Sequence, residues 1–98
     1  MTEQAAFLAH SRGDDVAVAV RDIEAGPVTV AYLDSGAREH RKAIEAIPLG
    51  HKLALRDLED GAEVTEYGET IGVMYRAVRA GGLVHVHNLR SARWTPQR

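Results

Sequence analysis

The chain has 98 residues, 12 of them basic and 14 acidic, a formal net charge of −2 and no cysteine. That length suffices for one modest core. The missing thiols exclude disulfides, cysteine nucleophiles and thiolate metal sites, and the mixed charge leaves no basic stripe to track nucleic-acid phosphates.

The first ten residues, MTEQAAFLAH, have no basic segment followed by a long apolar one, and no run is long enough to span a bilayer. The expectation is a cytoplasmic protein with no membrane partner. VAVAV, residues 16–20, alternates large and small and predicts a strand with one closely packed face. VTVAYL, 28–33, is β-branched and strand-like, and DSGA, 34–37, is a turn. REHRKAIEAI, 38–47, fits helix or strand until Pro48 stops it. HKLALR (51–56), EVTEY (63–67), IGVMY (71–75) and LVHVHNL (83–89) all predict strands, and YGETIG (67–72) predicts a hairpin turn. Short strands with frequent turn signals make a mostly β domain.

One pattern recurs: RDIEAGPV from Arg21, RDLEDGAEV from Arg56 and RAVRAGGLV from Arg76. Each sets Arg, an apolar residue two later and Gly five later. The expectation is a short helical turn capped by Gly26, Gly61 or Gly81, with Asp22 and Asp57 bonding nearby backbone NH groups. Steps of 35 and 20 residues between repeats are too uneven for a solenoid.

Chemistry rests on the histidines, because no serine-nucleophile motif, phosphate loop or dinucleotide fingerprint is present. Within a strand over 83–89, His85 and His87 share one face with Leu83 and Leu89, while Asn88 faces the other way. Such a pair can ligate a metal or bracket an anion; it is equally at home hydrogen-bonded on a half-buried strand. His51 follows the Pro48–Gly50 bend and can be a third ligand or a general base, with Lys52 beside it to neutralise a carboxylate. His10 precedes Asp14 and Asp15, carboxylates able to support a hard cation or orient a histidine. His40, among charges, reads as solvated.

G-H-K at 50–52, Y-G-E-x-I-G at 67–72 and H-V-H-N at 85–88, in this order, with HSRGDDVAVAVRDIEAG at 10–26, resemble the SAF-type domain of the altronate and galactarate dehydratase family. The resemblance covers residues 1–94; the TPQR tail, 95–98, carries no family signal. It implies a small β-clip fold and a lyase reaction, β-elimination of water from a sugar acid or of sulfite from sulfolactate. It also implies a divalent metal, often Fe²⁺ in relatives; histidine with oxygen ligands suits Mn²⁺ or Zn²⁺ as well, and Mg²⁺ stays open. A chain ending just after RSARW resembles the separate small subunits of some members, whose partner is a large catalytic subunit and whose substrate is a small hydroxy acid. By carry-over, His51, His85 and His87 are catalytic, Lys52, Asn88 and His10 contact substrate, and His85 and His87 hold the metal. Asp15 departs from the Asn or Ser common at its position. The alternative is a carboxylate-binding or assembly module without chemistry of its own. Exposed strand edges would let the isolated chain self-associate.

Overall fold

The computed structural model describes residues 4–85 and 87–91. Among the described residues, nine strands form two sheets: β1 (Phe7–Ala9), β2 (Val16–Ala19), β3 (Gly26–Tyr32), β4 (Arg38–Ala43), β5 (Lys52–Ala54), β6 (Glu63–Glu66), β7 (Glu69–Met74), β8 (Leu83–Val84) and β9 (Leu89–Ser91). The first sheet runs β4-β3-β1-β2-β5-β8, antiparallel except for the parallel β1–β3 pair; the second runs β6-β7-β9, all antiparallel.

The expected mostly β domain is therefore present. The expected short helical turns are not: no helix occurs among the described residues. The ambiguous 38–47 segment forms β4 and then a bend, its burial alternating along the strand as an edge strand's does. β1 had no sequence signal; three residues are too few to show a period, and its strand character comes from pairing with β2 and β3.

β2 lies at the centre and is covered on both faces. Ala17 lies opposite Leu53, and both join one core cluster with Phe7, Val30 and Ile47. Val16 lies opposite Ala54, and both join a second cluster with Leu58, Val64, Met74 and Val84 beneath the small sheet. The large–small alternation read from VAVAV thus serves two cores rather than one packed face, the alanines giving room on the first side.

The recurring Arg–apolar–Gly segments are arms of two paired bends, or clasps. Residues 21–26 meet 44–50 through an Ile23–Ile47 bridge, and residues 56–61 meet 76–81 through a Leu58–Val78 bridge. Asp22 accepts the Leu49 NH at 2.8 Å and Asp57 accepts the Ala80 NH at 2.8 Å. These carboxylates therefore cross to the facing arm, 27 and 23 residues away, instead of steadying their own turn. The fourth arm, IEAIPLG, breaks the pattern because Glu45 stands where the other three arms carry Arg. At Gly81 the backbone takes φ +90°, and a Cβ there would run into the Lys42 carbonyl, so glycine is required twice over.

Candidate functional site

The predicted single strand over 83–89 is two strands with a turn between them. β8 stops at Val84, and β9 starts at Leu89. His85 and His87 therefore do not alternate along one strand face; both lie in the turn and both are exposed. The reason is Asn88, which is 4% exposed. Its Oδ1 accepts the His85 NH at 2.9 Å, and its Nδ2 donates to the Leu83 carbonyl at 2.7 Å. The Asn88 and Leu89 NH groups both return to the His85 carbonyl. An Asn whose side chain replaces strand hydrogen bonds folds the chain back instead of extending it.

β5 and β8 pair antiparallel, with Lys52 opposite Val84 and Leu53 opposite Leu83. One more step in that register sets His51 across from His85. Their rings meet with centroids 3.9 Å apart and a 43° tilt. Nδ1 of His51 lies 3.3 Å from the Leu49 carbonyl, which ties the ring to the first clasp. Loss of some hydration of the ring depresses the His85 pKa, and the neighbouring His51, His87 and Lys52 depress it further. The shift favours the neutral imidazole, the form that accepts a proton or binds a metal.

Lys52 points to the opposite face of β5 from Leu53, toward the small sheet. Its Nζ is 4.0 Å from Oε1 of Glu66, the last residue of β6. Burial pushes the Glu66 carboxyl up from the ordinary range; Lys52 pulls it back, and Asp14 pushes it up again. Beyond Glu66, the hairpin turns through Tyr67 (φ 58°) and Gly68 (φ 75°). This is the two-residue type I′ geometry of tight hairpins, with a tyrosine in a conformation that suits Asn or Gly. Asp14 holds that tyrosine: its Oδ1 accepts the Tyr67 NH at 3.0 Å, while its Oδ2 accepts the His10 NH at 2.9 Å. The His10 and Tyr67 rings then meet at 4.9 Å.

The six sequence-predicted residues therefore fall into an ordered series. His51, His85 and His87 cluster at the β5–β8 end, and Lys52 is close enough to act on His85. His10 lies farther along, reached through Glu66, Asp14 and Tyr67. Asn88 is engaged at both ends of its amide with backbone. Asp15 is a rivet: Oδ1 accepts Arg56 Nε at 2.6 Å and Oδ2 accepts the Thr65 NH at 2.8 Å. Glu66 and Tyr67 were missed as site residues. Tyr67 reads from the sequence as a strand end, a turn residue and part of the Y-G-E-x-I-G motif, and nothing in the local sequence marks Glu66, whose place beside Lys52 depends on two sheets meeting. Among the described residues, no group of three or more His, Asp or Glu side chains is arranged to hold a metal ion. No helix of the described residues is long and apolar enough to cross a membrane.

Comparison with known proteins returns the same family as the motifs. Residues 5–92 match the altronate/galactarate dehydratase SAF domain. The chain is 38% identical over 90 residues to (2R)-sulfolactate sulfo-lyase subunit alpha of Chromohalobacter salexigens, covering 90% of this chain and 96% of that one. It is 48% identical over 48 residues to the subunit of the same name from Paracoccus pantotrophus, covering 49% of this chain and 72% of that one. It is also 38% identical over 78 residues to altronate dehydratase of Escherichia coli, covering 80% of this chain but 15% of that longer protein.

Proposed function

This chain belongs to the altronate/galactarate dehydratase SAF-domain family, and we propose that it is the small subunit of a two-chain carbon–oxygen or carbon–sulfur lyase. The two clasps are, on this reading, the paired bends of the β-clip fold. The observation that carries the proposal is the close, tilted approach of the His51 and His85 rings, with Lys52 close by, on an open surface. An exposed corner of a small domain cannot surround a substrate and exclude water from it. A large subunit supplies the other walls.

The reaction classes named for the relatives share one chemical core. The substrate is a 2-hydroxy acid with a leaving group on the next carbon. A base takes the proton from C2, the C2–C3 double bond forms, and the C3–O or C3–S bond breaks. Sulfite leaves as an anion, whereas hydroxide must gain a proton and leave as water; the enol then becomes a 2-keto acid. His51 is the base, and Lys52 receives the carboxylate whose charge grows as the proton departs. His10, at the far end of the series, contacts the remainder of the substrate. Asn88 holds His85 in place through the backbone.

His85 and His87 fit the donor type for a divalent metal, and as two exposed imidazoles they furnish part of a coordination shell that the large subunit completes. When bound, Fe²⁺, or Mn²⁺, Mg²⁺ or Zn²⁺ in its place, would supply Lewis acidity toward the substrate oxygens.

The test is turnover of sulfolactate, altronate and galactarate by this chain alone, by the large subunit alone and by both together, with Fe²⁺ or Mg²⁺. Elimination that needs both chains is expected, and the preferred substrate names the reaction. Equal turnover by the large subunit alone would contradict the proposal. The openness of the histidine corner also suits a carboxylate-binding module without chemistry; that reading predicts full kcat and a raised KM after histidine replacement.

A further inference from the structure

Lys52 and Glu66 sit at a separation that suits exchange. Their 4.0 Å contact is the outer limit of an ion pair and longer than a hydrogen bond, and their side chains are 26% and 13% exposed. Glu66 is thus a well-covered carboxylate loosely held by the cation assigned to substrate. Several other charged or titratable groups surround it. Asp14 faces it from the β1–β2 loop, Glu69 lies opposite it in register, and His10 packs on the adjoining Tyr67. The Asp15–Arg56 pair closes on the neighbouring Thr65, and β2, which also packs on β6, brings only Val and Ala.

We propose that Lys52 and Glu66 form an exchangeable ion pair: a substrate carboxylate takes over the Lys52 ammonium, and Glu66, deprived of its cation, takes up a proton from solvent. This rests on the reading of Lys52 as the carboxylate contact and deepens it. Lys52 opposes the upward push that burial and Asp14 exert on the Glu66 carboxyl. An anion that neutralises Lys52 removes that opposition and adds its own negative charge nearby, so Glu66 holds its proton more tightly when the anion is bound. Linkage then requires the converse: the anion binds more tightly as pH falls through the Glu66 titration. The site admits a negative substrate without stranding two covered carboxylates, Asp14 and Glu66, beside a third.

The experiment follows the Glu66 side-chain carboxyl by ¹³C NMR against pH in the full chain, with and without saturating D-lactate as the hydroxy-acid probe. The Glu66 midpoint is expected to rise by about one pH unit on binding. In Lys52→Met it is expected to be raised without lactate and to ignore lactate. In Glu66→Gln lactate affinity is expected to lose its pH dependence, while the wild-type chain binds up to about tenfold more tightly at the acid end. A lactate-induced shift of the Lys52 signals with no movement of the Glu66 midpoint would overturn the exchange and leave the Lys52 contact standing. No response of Lys52 at any lactate concentration would overturn that contact, and the exchange with it.

Discussion

The clasps and the histidine corner treat polar side chains in opposite ways. At the clasps, Asp22 and Asp57 are engaged by backbone NH groups of the facing arm, and Ile23, Ile47 and Leu58 are buried behind them. At the corner the engaged side chain is Asn88, and its hydrogen bonds leave the His85 and His87 side chains facing solvent. The two regions are joined, since the first clasp runs through Gly50 straight into His51 and β5. One part of the chain thus uses its polar groups to hold shape, and the next presents them to a ligand. Substitutions should separate accordingly, with stability lost at the clasps and activity lost at the corner.

The largest separation is expected at the histidines. His51→Ala or His85→Ala should lower turnover of the two-chain enzyme by about 10²–10⁴-fold while the thermal midpoint of the chain stays near wild type; steady-state kinetics beside calorimetry checks both halves. The counterpart at the second clasp is Leu58→Ala, which empties a side chain 1% exposed in the second core cluster. It should cost about 2–5 kcal/mol in denaturant unfolding. Gly81→Ala comes next: positive φ and the Lys42 carbonyl both oppose a Cβ, for a loss of about 2 kcal/mol or more. Asp22→Ala and Asp57→Ala should each cost about 1 kcal/mol, because each removes one hydrogen bond at an exposed position. Comparable losses for the two would support the equivalence of the clasps.

The smallest effect is electrostatic and sharpens the corner. His85 should titrate below the ordinary histidine value of 6.5 in the metal-free chain. Lys52→Met removes one of the positive neighbours that hold it down, so the His85 midpoint should move upward, a shift NMR titration of the imidazole C–H signals would read.

Much of the scaffold was legible in the sequence because it rests on local pattern. VAVAV and VTVAYL announce β2 and β3 by alternation and branching, and YGE announces the hairpin turn between β6 and β7. The recurring glycines announced bends, though not that the bends pair across 23 and 27 residues. The misreadings arose where long-range contacts decide. Phe7–Ala9 is a strand because β2 and β3 flank it, and LVHVHNL is broken because the Asn88 side chain outcompetes the strand ladder. The site divides in the same way. Motifs supplied His51, Lys52, His85 and His87, but the 3.9 Å approach of His51 to His85 depends on the β5–β8 register, which no local pattern encodes. Glu66 reaches Lys52 only because the small sheet packs over the large one.

The central claim is that the half-buried His51 and the exposed His85 and His87 become enclosed when a second chain docks. Carbethoxylation of histidines by diethyl pyrocarbonate, mapped by mass spectrometry on the isolated chain and on the two-chain complex, tests it most directly. His51, His85 and His87 should react in the isolated chain and be protected in the complex, while His40, exposed on β4 away from the corner, should react in both. Equal modification of His51 and His85 in the two states would contradict the account.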